Sequence, residues 1–271
     1  MNMPVYVSPE QLMKDRADFA RKGIARGRPV IVMQYQNGIL FVSENPSRSL
    51  HKIAEIYDRI GFAAVGKYNE FEKLRVAGVR YADMRGFTYA RADVSARGLA
   101  NAYAQILGAS FTSDPKPMEV ELVVAEVGAT SEQDQIYRLS YDGSVAEEPG
   151  YVVMGADAET LRAELRGQWG AELPLNDALA LAYRTLGATA AAAEPAPTTG
   201  GRNISSTNLE VAVLERDRPG RKFRRLVGAA LPSPATLLAS GQSDPVLADP
   251  APADPGQPDR GSAPEPEGGG S

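Results

Sequence analysis

Two β-rich runs, Val30 to Tyr35 and Ile39 to Ser43, are separated only by Gln36-Asn37-Gly38. An Asn-Gly step between such runs is a strong short-range hairpin signal, so the pair is antiparallel. Both runs are apolar at consecutive positions rather than at alternate ones. Because strand side chains alternate between faces, consecutive apolar positions require cover on both sides of the sheet. The chain must therefore fold in layers, with this hairpin inside.

The rest of the sequence supplies the layers. A second antiparallel pair is expected at Lys52 to Asp58 and Phe62 to Gly66, turned by Arg59-Ile60-Gly61. The period then changes. Asn69 can cap a helix in which Phe71, Leu74, Gly78 and Ala82 recur at helical spacing, ending near Arg85-Gly86. A second helix starts at Ser95 with a stripe of Leu99, Ala102, Tyr103, Ile106 and Phe111, and Pro115-Lys116-Pro117 stops the chain before a strand at Glu119 to Val127. Ile136 to Tyr141 with Asp142-Gly143 and Val145 reads as a further hairpin, and Tyr151 to Met154 as a short buried strand.

Asp157 is placed to cap a helix reaching about Trp169, followed by a helix from Leu175 to Leu186 and a flexible loop over 187–206. Leu209, Val211 and Val213 then alternate against Glu210 and Ala212, and Lys222 to Leu226 can pair with that strand. Ahead of everything stands a helix from about Ser8 to Arg21. Ser8 suits an N-cap, Pro9 the first helical position, and Gln11 a capping-box spacing. Ten antiparallel strands with helices in adjacent pairs imply an α+β fold, a four-layer α/β/β/α sandwich of two sheets with an extra N-terminal helix.

Among the 271 residues there is no cysteine, which excludes disulfides, thiolate metal sites and a cysteine nucleophile. The formal charge of -5 resides in residues 231–271, which carry Asp244, Asp249, Asp254, Asp259, Glu265 and Glu267 against Arg260 alone. That proline-rich stretch is expected to be disordered. The remaining body is balanced, so it offers no cationic field for nucleic acid. No stretch approaches the ~18 apolar residues of a membrane span, and the first residues lack a secretory pattern. No metal cluster or phosphate loop is present, so neither cofactor nor metal is expected. A cytoplasmic protein follows as the default.

The blocks ENPSRSLHKIAEIYDRIGFAAVGKYNEFEKLR, YADMRGF, ANAYAQILGASFT, YRLSYDGS and LEVAVLERDRPGRKFRRL, in this order, resemble the α-type subunits of the actinobacterial proteasome core. The resemblance runs from about Met3 to Ala230 and implies an N-terminal nucleophile hydrolase fold. It further implies a non-catalytic subunit in a homo-heptameric α ring that caps rings of proteolytic β subunits. It divides the chain into a gating segment (1–7), the sandwich (8–230) and the acidic tail (231–271). In β-type relatives the first strand begins with a catalytic threonine freed by processing. Here Ile24-Ala25-Arg26-Gly27-Arg28-Pro29 precedes that strand and holds no Thr, Ser or Cys.

The same resemblance assigns roles to particular residues. A lysine at the position of Lys52 lines a pocket between neighbouring α subunits and receives the C-terminal carboxylate of a ring-shaped ATPase, which feeds tagged (pupylated) proteins to the core. A carboxylate at ~4 Å from an ammonium is worth about 1 kcal/mol in water and ~4 at intermediate dielectric, and several tethered tails add. Without the family, Lys52 reads as an edge-strand lysine that blunts aggregation. Asp18 and Arg21 either shape this pocket or form an ordinary exposed i,i+3 pair. Asn2, Met3, Pro4, Val5, Tyr6 and Val7 are expected to close the axial pore. The single histidine, His51, has no G-x-S-x-G elbow to serve and is read as non-catalytic. The alternative from another class is a free-standing amide hydrolase of this fold with a noncanonical nucleophile.

Overall fold

The computed structural model describes residues 8–192, 204–205 and 208–239. Helix α1 (Pro9–Ile24) precedes strands β1 (Val30–Tyr35), β2 (Gly38–Glu44), β3 (Ile53–Tyr57) and β4 (Ile60–Gly66). Helices α2 (Tyr68–Thr88) and α3 (Ala96–Ser113) follow, then β5 (Val120–Glu126), β6 (Gln135–Leu139), β7 (Val145–Glu147) and β8 (Tyr151–Met154). Helices α4 (Ala158–Arg166) and α5 (Leu175–Ala192), strands β9 (Leu209–Glu215) and β10 (Phe223–Arg225) and helix α6 (Pro234–Ala239) complete the order.

The strands form two five-stranded sheets, β10-β9-β2-β1-β8 and β3-β4-β5-β6-β7, antiparallel throughout. Three apolar clusters set the layers. On the first sheet Ile31, Met33, Leu40, Val42 and Val213 pack on Leu161 and Leu165 of α4, Leu179 and Tyr183 of α5 and Leu237 of α6. The alternate residues Val30, Val32, Ile39 and Phe41 face Ile53, Ala63, Val65 and Val123 of the second sheet. The outer face of that sheet, with Phe62, Leu122 and Val124, is covered by Phe71 and Leu74 of α2 and Leu99 and Tyr103 of α3. Consecutive apolar residues in one strand thus serve two different cores. Each large side chain so buried contributes about 1.5–3 kcal/mol. The result is the α/β/β/α sandwich.

The Asn37-Gly38 turn places Gly38 at φ 144°, and a Cβ there would lie 1.9 Å from the Leu214 oxygen on β9. Only glycine allows that approach.

Several local expectations change in the structure. α1 continues past Arg21 to Ile24, and the second hairpin turns at Asp58-Arg59. α2 starts at Tyr68 with Lys67, not Asn69, at its N-cap. On α3, Leu107 is buried while Ile106 faces solvent at 38% exposure. Asp157 occupies the N-cap of α4 in a left-handed conformation (φ 55°) without a side-chain capping bond. α5 runs through Ala192, into the stretch expected as loop. α6 lies inside the stretch expected to be disordered, and its Leu237 is buried. Among the described residues no helix is long and apolar enough to cross a membrane. None of their His, Asp and Glu side chains cluster in threes to hold a metal.

Candidate functional site

The entrance to β1 is enclosed by α1. Ser8 Oγ accepts the Gln11 N–H at 3.2 Å, whereas the Gln11 side chain bonds Asp15 at 2.6 Å, so the cap is one-sided rather than a reciprocal box. Ala20 and Ile24 insert between the two sheets. Arg16 clamps the helix to the end of α3, donating to the carbonyls of Phe111 (2.7 Å), Ser110 (3.1 Å) and Asp114 (2.8 Å). Beyond α1, Gly27 N–H closes on Ile24 O at 2.8 Å and Ala156 N–H reaches Gly27 O at 2.9 Å. The residues before β1 are therefore held by main-chain bonds.

Lys52 sits beside this entrance. Its ammonium donates to the main-chain oxygen of Arg28 at 2.9 Å. Arg28 is in turn ion-paired with Glu44 at the end of β2. Burial pushes the Lys52 amine down to about 8, the nearby Glu210 carboxylate opposing the shift. An ammonium carries three donors, so the Arg28 bond leaves capacity for an anion. A partly desolvated cation also attracts a carboxylate more strongly than one in bulk water.

The lysine is aimed by Glu210. This buried residue lies on β9 with the parity of Ala212 and Leu214, which face the second sheet. Its carboxylate accepts the main-chain N–H groups of Lys52 (3.0 Å) and Ile53 (3.2 Å), the Asn45 amide (2.7 Å) and the Arg225 guanidinium (2.8 Å). His51 Nδ1 lies 3.2 Å from the same group. Burial opposes its ionisation, but the donors from Asn45, Lys52, Arg225 and Ile53 together hold the carboxyl below the usual range. One side chain from the first sheet thus fixes the loop and strand of the second that carry Lys52.

Asp18 and Arg21 pair with each other at 3.3 Å, and both are exposed. The Arg21 guanidinium lies 5.7 Å from the centre of the Tyr141 ring. Arg21 and Tyr141 line a cavity of about 610 Å³ together with Gly155, Asp157 and Arg162. Neither Asp18 nor Lys52 lines it. Within one chain, then, no hydrogen bond or ion pair among the described residues joins Lys52 to Asp18 or Arg21. The link is the main chain: Gly155, at φ 96°, has room for no Cβ because one would fall 2.9 Å from Gly27 O and 3.2 Å from Arg28 O. The cavity rim and the carbonyl that holds Lys52 are neighbours. The gate residues Asn2 to Val7 lie outside the described residues.

Sequence reasoning singled out Lys52 but not the residues that hold it in place, Glu210, Arg28 and Asn45. One signal was present: Glu210 is the charged residue in the run Leu209 to Leu214, where even and odd positions are otherwise both apolar. Several arginines beside β1 and along β10 are engaged within the chain. Arg28 pairs with Glu44, Arg221 with Glu55, Arg224 with Glu215 and Arg225 with Glu210.

Comparison with known proteins places the chain in a family. The proteasome subunit model matches residues 24–211. A "Proteasome subunit alpha" of Xylanimonas cellulosilytica is 68% identical over 231 residues, covering 85% of this chain and 95% of that protein. Proteins of the same name from Kineococcus radiotolerans and Sanguibacter keddieii are 66% and 62% identical, covering 85% and 90% of this chain and 97% and 93% of their own lengths. Over residues 24–211, a span that includes Lys52 and Glu210, the match shows that the chain belongs to the proteasome subunit family.

Proposed function

We propose that this chain is the α subunit of a proteasome core and is not catalytic by itself. Seven copies form the outer ring, cap the β rings, close the pore with residues 2–7, and dock a ring ATPase that delivers tagged, pupylated proteins. The observation that carries the reading is the entrance to β1. A terminal nucleophile there requires a free α-amino group and an open strand end. Instead α1 packs Ala20 and Ile24 against the inter-sheet core at that end, and Arg28 is engaged by Glu44 and Lys52. Similarity to proteins named proteasome subunit alpha supports the same assignment. Lys52 supplies the cation for an activator carboxylate, and Asp18 and Arg21 of a neighbouring copy border it.

Native mass spectrometry of the chain alone and with a β-type threonine protease tests this. A stacked complex of equal numbers of α and β subunits is expected. Rings that ignore the protease, or amide hydrolysis by the chain alone, overturn the reading.

A further inference from the structure

On the edge shared by β3 and β10, away from the cavity beside α1, lies a second cavity of about 620 Å³. Five arginines line it (Arg75, Arg218, Arg221, Arg224 and Arg225) against two carboxylates, Glu55 and Glu72. Both carboxylates are already committed: Arg221 Nε donates to Glu55 at 2.9 Å and Arg75 Nε to Glu72 at 2.8 Å. Arg224 and Arg225 turn to Glu215 and Glu210 outside the lining. Arg218 makes only a 3.4 Å bond to the Phe223 carbonyl within this group. Arg218 alone of the five has no ion pair among the described residues, so the cleft keeps one positive charge beyond the four carboxylates its arginines engage. Its rim residue Ser49 is exposed, and edge strands flank it on two sides.

The same chain holds a segment of opposite charge. Residues 240–271 carry six carboxylates spaced among prolines, and Arg260 is their sole cation. They follow α6, whose Leu237 is buried in the same apolar cluster as Leu226, the residue next to cleft-lining Arg225. Tethering confers an effective concentration in the millimolar range for short flexible linkers, so weak individual charge pairs suffice. We propose that the acidic segment 240–271 docks in the arginine cleft of its own chain. The cleft adjoins Lys52 through His51 and Ala54, so the inference is tested on the single chain, apart from any ring or activator.

The test is a photo-crosslinker, p-benzoylphenylalanine, placed at Ser49 in the full chain. A crosslinked product at the mass of one chain, with its second peptide inside 240–271, is expected. Its yield should fall roughly fivefold in 1 M NaCl, where charges are screened within about 3 Å. The same fall is expected when the six tail carboxylates are changed to Asn or Gln, a replacement that leaves the folded body untouched. Products joined only to other segments, products at twice the chain mass, or an unchanged yield after neutralisation overturn the proposal.

Discussion

The ammonium of Lys52 and the main-chain oxygen of Arg28 are 2.9 Å apart, although 24 residues separate them in sequence. The bond ties the cation to the segment that leads from α1 into β1. Lys52→Ala is expected to abolish ATPase-stimulated protein degradation by the assembled core while leaving ring assembly and small-peptide hydrolysis unchanged. Lys52→Met should have the same functional defect with a thermal stability equal to or above the parent, because the native lysine is charged against a burial penalty. The depressed amine corresponds to about 1–3 kcal/mol. Stimulated degradation at the parental rate in either variant contradicts the docking role.

That depressed amine has a pH signature. With its native value near 8 and its unfolded value near 10.5, the unfolded chain binds more protons between those limits. This group therefore makes stability rise with pH across that window. Docking behaves oppositely, since a carboxylate needs the charged form. Affinity for an activator tail should decline above pH 8, by up to about tenfold per pH unit. Lys52→Arg, which stays charged, should flatten the profile even if its fork fits the site less well. Titration calorimetry with a carboxylate-ended tail peptide reads both profiles.

Glu210 supports the lysine at a cost that can be measured. Glu210→Ala strips the partners from Arg225, Asn45 and two main-chain N–H groups, and breaking such a buried ion pair costs about 3–5 kcal/mol. Denaturant unfolding should show the loss. Glu210→Gln retains an acceptor but removes the charge that opposes the downward shift of Lys52. Its docking profile should therefore move to lower pH, an effect that mere loosening of the loop does not produce.

Removal of residues 2–7 addresses the gate. In complex with β subunits, the truncated chain is expected to raise hydrolysis of a fluorogenic peptide several-fold without altering turnover at saturating substrate per β site. A peptidase rate identical to that of the intact core contradicts the gating role.

A packing prediction concerns α2 and α3. A Cβ on Gly78 would lie 1.7 Å from the Tyr103 hydroxyl oxygen. Tyr103 is buried at 1% exposure, and its hydroxyl has no hydrogen-bond partner among the described residues. Gly78→Ala should destabilise by about 1–3 kcal/mol through overpacking. Tyr103→Phe alone should be neutral or stabilising by about 1 kcal/mol, since it deletes an unpaired buried hydroxyl. The double variant should recover part of the loss, as the ring carbon Cζ remains 2.7 Å from the new methyl group. Thermal melts of the four chains close the cycle.

Element order was legible because its signals are local: the Asn37-Gly38 turn, the Ser8 and Ser95 caps, and apolar runs long enough to require two faces. Side-chain direction was less so. The stripe on α3 was read through Ile106, but the buried face runs through Leu99, Tyr103 and Leu107, which leaves Ile106 at its exposed edge. The alanine-rich stretch after Leu186 reads as loop by composition, yet alanine has the highest helix propensity and α5 continues through it. At the site, Lys52 was visible through resemblance alone. Its partner Glu210 is 158 residues away, and alternation along β9 suggested a solvent-facing position. Only the stacking of the two sheets turns that position inward, a tertiary fact with no local counterpart.

The packing of α1 on the open end of the inter-sheet core bears on how such a chain could change its trade. A threonine substituted anywhere from Ile24 to Pro29 would remain an internal residue, its nitrogen spent in a peptide bond behind sixteen helical residues. Acquiring hydrolytic chemistry would require excising that helix, which removes Ala20 and Ile24 from the inter-sheet core and the Arg16 clamp from α3 in the same event. No single substitution crosses that gap. The architecture at this strand end, rather than the identity of any one side chain, therefore sets the limit on what point mutation can change.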